Sequence, residues 1–130
     1  MEIKNERHQF SVMVAGENSD WAKATGQLLK AVGYTDIQTH CLLESALEAS
    51  AEQTPHIVIA QSSTLLGGGV EEFLLRLQAI SSEVLTILVV PDSMRLAALA
   101  LIERGLAYDC LISPVESTLE LRQKIDRAAD

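Results

Sequence analysis

Short apolar runs alternate with longer stretches whose apolar residues recur at three and four positions, and the alternation repeats five times. The first run, residues 10–15, meets the polar turn Gly16-Glu17-Asn18-Ser19, where Ser19 is placed to cap a helix. Trp21, Ala24, Thr25, Leu28, Leu29 and Val32 then follow helical spacing until Gly33, which predicts the stop. Residues 37–41 alternate apolar and polar, the pattern of an edge strand, and 42–53 read as a second helix ended by Thr54-Pro55. A third strand over 57–60 leads through Gly67-Gly68-Gly69 into a helix with Val70, Phe73, Leu74 and Leu77 on one side. Residues 84–90 are apolar except for Thr86, as in a strand covered on both faces. A fourth helix is expected from about 93 to 104, and a fifth strand at 110–112. The last helix is opened by Ser117, with Glu120 three residues on in capping-box spacing.

Five strand and helix pairs in strict order imply right-handed crossovers. The predicted fold is α/β, a doubly wound five-stranded parallel sheet with helices on both faces. Residues 1–9 read as a polar tail and 10–130 as the domain. In such a sheet, functional groups gather at the carboxyl ends of the strands.

Composition narrows the function. The 130 residues suit one domain, and 48% hydrophobic against 22% charged residues can bury a core. Eighteen acidic against ten basic residues give a net charge of −8, the wrong sign for a nucleic-acid backbone or an anionic membrane. No apolar run approaches the roughly 20 residues of a spanning helix, and the start lacks a signal-peptide core, so a cytoplasmic location is expected. Cys41 and Cys110 have no ligand-type spacing and are expected to be small apolar residues without a disulfide.

The strand ends offer Gly16 and Glu17, Gln61 and Ser62, Pro91 and Asp92, and Ser113 and Pro114. They hold two separated carboxylates and no lysine, histidine or paired nucleophile, so no catalytic residue, metal or cofactor is expected. Glu17 suits the first turn of a helix, where a carboxylate favours the dipole. Ser62, Ser63 and Thr64 are ordinary loop residues, although Ser62 or Ser63 could accept a phosphoryl group from a kinase. The three glycines at 67–69 lack the GK[ST] ending of a phosphate loop. His40, Cys41 and His56 fall on strands that do not neighbour each other, which disfavours a shared ion, and His8 lies in the polar tail. Cys110 adjoins Leu111 and Ile112 in an expected buried strand, away from any basic residue that would lower its pKa, and reads as core. A ligand site for a nucleotide or flavin in the strand-end crevice is the alternative on this fold, without a GxGxxG or P-loop to support it.

The order of elements and these strand-end positions resemble the receiver domain of two-component response regulators over nearly the whole chain. The resemblance implies the flavodoxin-like strand order 2-1-3-4-5. It also implies an acidic pair for magnesium after strand one, a phosphoacceptor aspartate after strand three, Thr or Ser after strand four, and Lys-Pro after strand five. Those places fall here on Gly16 and Glu17, Gln61, Pro91, and Ser113-Pro114, with Gly33, Gly69 and Pro114 supporting the register. An amide cannot attack phosphorus as a carboxylate does, Pro91 has neither hydroxyl nor N–H, and Ser113 carries no charge. The site therefore reads as a degenerate phosphorylation pocket, the chain as a pseudo-receiver. The family's aromatic switch position falls on Cys110, too small to swing between two surface states.

Met94, Leu96, Ala97, Ala98, Leu99, Ala100, Leu101 and Ile102 make the fourth helix apolar nearly all round, interrupted only by Arg95. In receiver domains the face of helix four, strand five and helix five takes partners and dimer mates. The expectation is a module acting in signal transduction by phosphorylation-independent contact, with a protein partner or a second copy held through Met94, Leu96, Leu99, Ile102 and Cys110. The chain's end after the fifth helix is also where an output domain would follow in a longer protein.

Overall fold

The computed structural model describes residues 10–16, 19–31, 33–40, 43–61, 69–113 and 123–127. Strands β1 (Ser11–Gly16), β2 (Asp36–His40), β3 (Ile57–Gln61), β4 (Leu85–Pro91) and β5 (Asp109–Ser113) alternate with helices α1 (Ser19–Ala31), α2 (Leu43–Glu52), α3 (Gly69–Ile80) and α4 (Arg95–Glu103). Residues 123–127 form a further helical stretch. All strands are parallel, in the order β2-β1-β3-β4-β5, so the fold class read from the sequence is the one observed. The alternating strand β2 lies at an edge, and the apolar run of β4 lies inside the sheet with its five central residues buried.

Strand alternation sends successive side chains to opposite faces, which builds two cores from one sheet. Met13, Ala15, Val58, Ala60, Leu88 and Val90 pack with Ala46, Phe73, Leu74, Ala98 and Leu101 of α2, α3 and α4. Val12, Val14, Ile57, Ile59, Ile87, Val89 and Leu111 pack with Ala22 and Leu29 of α1, Tyr34, and Ile125 of the 123–127 helix. The buried stripe of α1 runs through Ala22, Thr25 and Leu29, while Ala24 is exposed, a rotation by part of a turn from the periodicity reading. Strand β5 ends at Ser113, and Pro114, Ser117 and Glu120 lie outside the described residues.

Two helix ends are fixed by glycine. Gly33 (φ 113°) and Gly105 (φ 76°) take left-handed backbone that other residues avoid. At the second, Gly105 N–H donates to Ile102 O at 3.0 Å and Leu106 N–H to Leu101 O at 3.0 Å, satisfying the last carbonyls of α4. The start of α4 differs from expectation: Asp92–Met94 form a 3₁₀ turn and the α-helix begins at Arg95, with no side chain capping Met94.

Candidate functional site

The carboxyl edge of the sheet brings the strand-end positions into register. Gly16 lies opposite Gln61, Gln61 opposite Val89, and Pro91 opposite Ser113. Gly16 and Gln61 are therefore level with Val89, and Pro91 and Ser113 are level with each other two residues further along, so the four line one edge in two steps. Glu17 falls outside the described residues, as do Ser62, Ser63, Thr64 and Pro114.

Gly16 is set by close approach. A Cβ there would stand 2.9 Å from Cζ3 and 3.0 Å from Cε3 of Trp21, and 3.1 Å from Cβ of Gln61. The first turn of α1 thus lays a half-buried indole ring against the end of β1, beside Gln61. Sequence periodicity assigned Trp21 to a helix stripe, and nothing in the spacing showed that its ring would reach the row of strand ends.

The donors in this row are a poor match for magnesium, which needs several hard oxygens in octahedral array. Gly16 supplies no side chain, Pro91 no donor, and Gln61 a neutral amide. Asp92, next to the row, is exposed and pairs with Arg95 at 2.7 Å. Among the described residues no group of three or more His, Cys, Asp or Glu side chains is placed to hold a metal ion.

The two histidines in the sheet sit at opposite ends of it. His40 closes β2 at the carboxyl edge, its Nε2 3.4 Å from Gln38 Oε1. His56 precedes β3, where its Nδ1 accepts the Ser11 N–H at 2.9 Å and its ring meets Phe10 edge-on at 5.4 Å. His56 is thereby tied into the start of β1, a role the sequence did not suggest. Cys41 lies outside the described residues.

A second region is the outer surface of α4. Leu96 is 80% exposed and Leu99 42%, whereas Met94 and Ile102 are half-buried and pack against the core, as does Cys110 of β5. The five residues assigned to partner binding thus divide into two on the surface and three underneath. Leu75 of α3 and Tyr108 are also exposed, and neither stood out in the sequence. Leu75 was legible in principle, since it lies off the stripe of Phe73, Leu74 and Leu77. Arg104 Nη1 reaches Glu71 Oε1 at 3.0 Å, and Gln78 Nε2 donates to Gly105 O at 2.6 Å, so the end of α4 is tied to α3.

Burial pushes the Cys110 thiol above its ordinary value, and the Asp109 carboxylate adds to that shift. Lys124 and Arg95 oppose it, which corrects the sequence reading that no basic residue is near; both come from elements remote along the chain. Lys124 Nζ donates to Asp109 Oδ1 at 3.0 Å, and the same oxygen accepts the Cys110 N–H at 2.8 Å.

No protein-family model and no curated protein matches this sequence. Solved structures do match its fold. A response regulator receiver domain protein from Clostridium thermocellum superposes with a TM-score of 0.81 at 18% identity, over 92% of this chain and 93% of that one. A beryllofluoride-activated DrrB receiver domain gives 0.76 at 19% identity, over 92% and 97%. A Burkholderia pseudomallei protein described as related to pilus assembly gives 0.79 at 15% identity, over 99% and 93%. The chain therefore has the receiver-domain fold. Among the described residues no helix is long and apolar enough to cross a membrane.

Proposed function

We propose that this chain is a receiver-like signalling domain that works in the cytoplasm by protein contact and transfers no phosphoryl group at its strand-end site. The observation that carries the reading is Gln61 at the end of β3, in register with a Gly16 whose side-chain space is taken by the Trp21 ring. Acyl phosphate formation needs a carboxylate nucleophile, and an amide has none. Neither Gly16 nor Pro91 offers a side-chain oxygen for a cation or a side-chain donor for a phosphoryl group, and Ser113 carries no charge to neutralise one. With an amide where the carboxylate nucleophile would stand, the domain is read as acting without catalysis at this site. It presents a fixed surface, of which Leu96 and Leu99 on α4 are the apolar part.

Amide NMR of labelled protein with magnesium and acetyl phosphate tests this. Resonances of Gly16, Trp21, Gln61 and Ser113 are expected to stay in place. Shifts concentrated on those residues would replace the contact reading with a ligand-gated one.

The Burkholderia neighbour, matched over nearly the full length of both chains, favours a second reading in which the contact serves pilus assembly instead of a two-component pathway. Deleting the coding sequence in its host separates the two, since unaltered surface pili would sink the pilus reading.

A further inference from the structure

Ser11 opens β1 nearly buried, 8% exposed, and one residue takes both of its backbone groups. His56 N–H donates to Ser11 O at 2.9 Å, and Ser11 N–H donates to Nδ1 of the His56 ring, also at 2.9 Å. The same residue reaches the next strand, since its carbonyl accepts the Leu85 N–H at 3.1 Å. His56 therefore clamps the amino ends of β1, β3 and β4 together. The β1–β3 register begins one residue later, at Val12 and Ile57, so the ring extends that ladder by one bond.

A bond of this kind exists in one protonation state only. To accept, Nδ1 must carry no proton, which places the ring proton on Nε2. Protonating the ring turns Nδ1 into a donor aimed at a donor, and the buried Ser11 amide loses its acceptor. His56 is exposed, so its ring meets solvent protons directly while the amide it satisfies does not. We propose that His56 is a pH-sensitive latch on the start of β1: the neutral ring holds Ser11 in the sheet, and the imidazolium lets it go. Charged side chains on the flanking elements are Asp36, opposite Ser11 on β2, Glu83 ahead of β4 and Glu52 at the end of α2. Among the described residues none of these is paired with the ring, whose contacts are Ser11 and the edge-on Phe10. His40 makes the contrast within the same sheet, because its Nε2 lies 3.4 Å from the Gln38 side chain and holds no backbone group. The stability that the latch adds is present where the imidazole is neutral, and it is lost as pH falls through the ring's titration.

Nuclear magnetic resonance and urea unfolding between about pH 8 and about pH 5 test the proposal. At the upper pH, a long-range nitrogen–proton spectrum is expected to show His56 as the Nε2–H tautomer. On acidification the Ser11 amide resonance should move with the His56 ring signals, at a common midpoint. His56→Asn keeps an acceptor near the place of Nδ1 but takes up no proton, so it makes a clamp insensitive to pH. Relative to that variant, the native chain should lose on the order of tenfold in its folding equilibrium constant across the range. Carboxylates and the other histidines are common to both chains and cancel. An Nδ1–H tautomer overturns the proposal, as does a Ser11 resonance that ignores His56 or a pH dependence that the variant shares in full. The first two measurements need only the native chain. None of these outcomes touches the inert-pocket reading, which stands or falls on the acetyl phosphate spectra.

Discussion

The two faces of the sheet are covered to different degrees. On one face, α1 and the 123–127 helix turn apolar residues inward, with Leu29 and Ile125 essentially inaccessible, and polar bonds secure the cover. Tyr34, fully buried, donates its hydroxyl to Asp126 Oδ1 at 2.5 Å, and Lys124 bridges to Asp109 at 3.0 Å. On the other face, α4 buries Ala98 and Leu101 but turns Leu96 and Leu99 to solvent. Fully burying a leucine contributes about 1.5–3 kcal/mol, and Leu96 forgoes most of it within the monomer.

The sharpest way to break this contrast is to truncate one side chain on each face. Ile125→Ala removes a fully buried side chain and is expected to cost about 2–5 kcal/mol in urea unfolding. Leu96→Ala should cost less than about 0.5 kcal/mol under the same conditions. Similar losses from both would mean that α4 is buried in solution.

A smaller effect is expected at the carboxyl edge. Gly16→Ala forces its Cβ against the Trp21 ring and should cost about 1–3 kcal/mol. In a Trp21→Leu background the cost should shrink, and the difference between the two backgrounds measures the contact. Strict additivity would show that the indole does not fill the space beside Gly16.

The least expected change concerns Cys110, which reports how tightly α4 covers β5. Its thiol is raised above 9.0, first by burial and then by Asp109, so it is protonated at neutral pH. In a Cys41→Ser background, reaction with a thiol reagent at pH 8 should be slower than that of a free cysteine. Because the folded-state value is the higher one, the stability it contributes is present below pH 9.0 and is lost as pH rises through the folded value. Labelling as fast as a free thiol would mean that α4 opens readily.

Much of the fold was legible because its signals are local. The apolar runs gave the strands, Gly33 ended α1 as its spacing predicts, and the alternating 37–41 segment became the edge strand β2. The candidate site was legible only as a set of positions. Gly16, Gln61 and Pro91 could be named from strand ends, but the Trp21 ring beside Gly16 could not, because that contact depends on how α1 leans on β1. Helix four shows the same limit: its apolar excess was visible, yet Leu96 and Leu99 could not be told from Met94 and Ile102.

By itself, then, the sequence determined the order and kind of elements, the parallel doubly wound class, the amide at the end of the third strand and the apolar character of helix four. Periodicity and residue chemistry act within a few positions and need no partner. Only the tertiary structure decided which apolar residues of α4 meet solvent, that His56 is bonded to Ser11, that Lys124 and Arg95 act on Cys110, and that an indole stands beside Gly16. Those facts depend on helix rotation and on contacts between segments far apart in the chain, which packing fixes and local pattern does not.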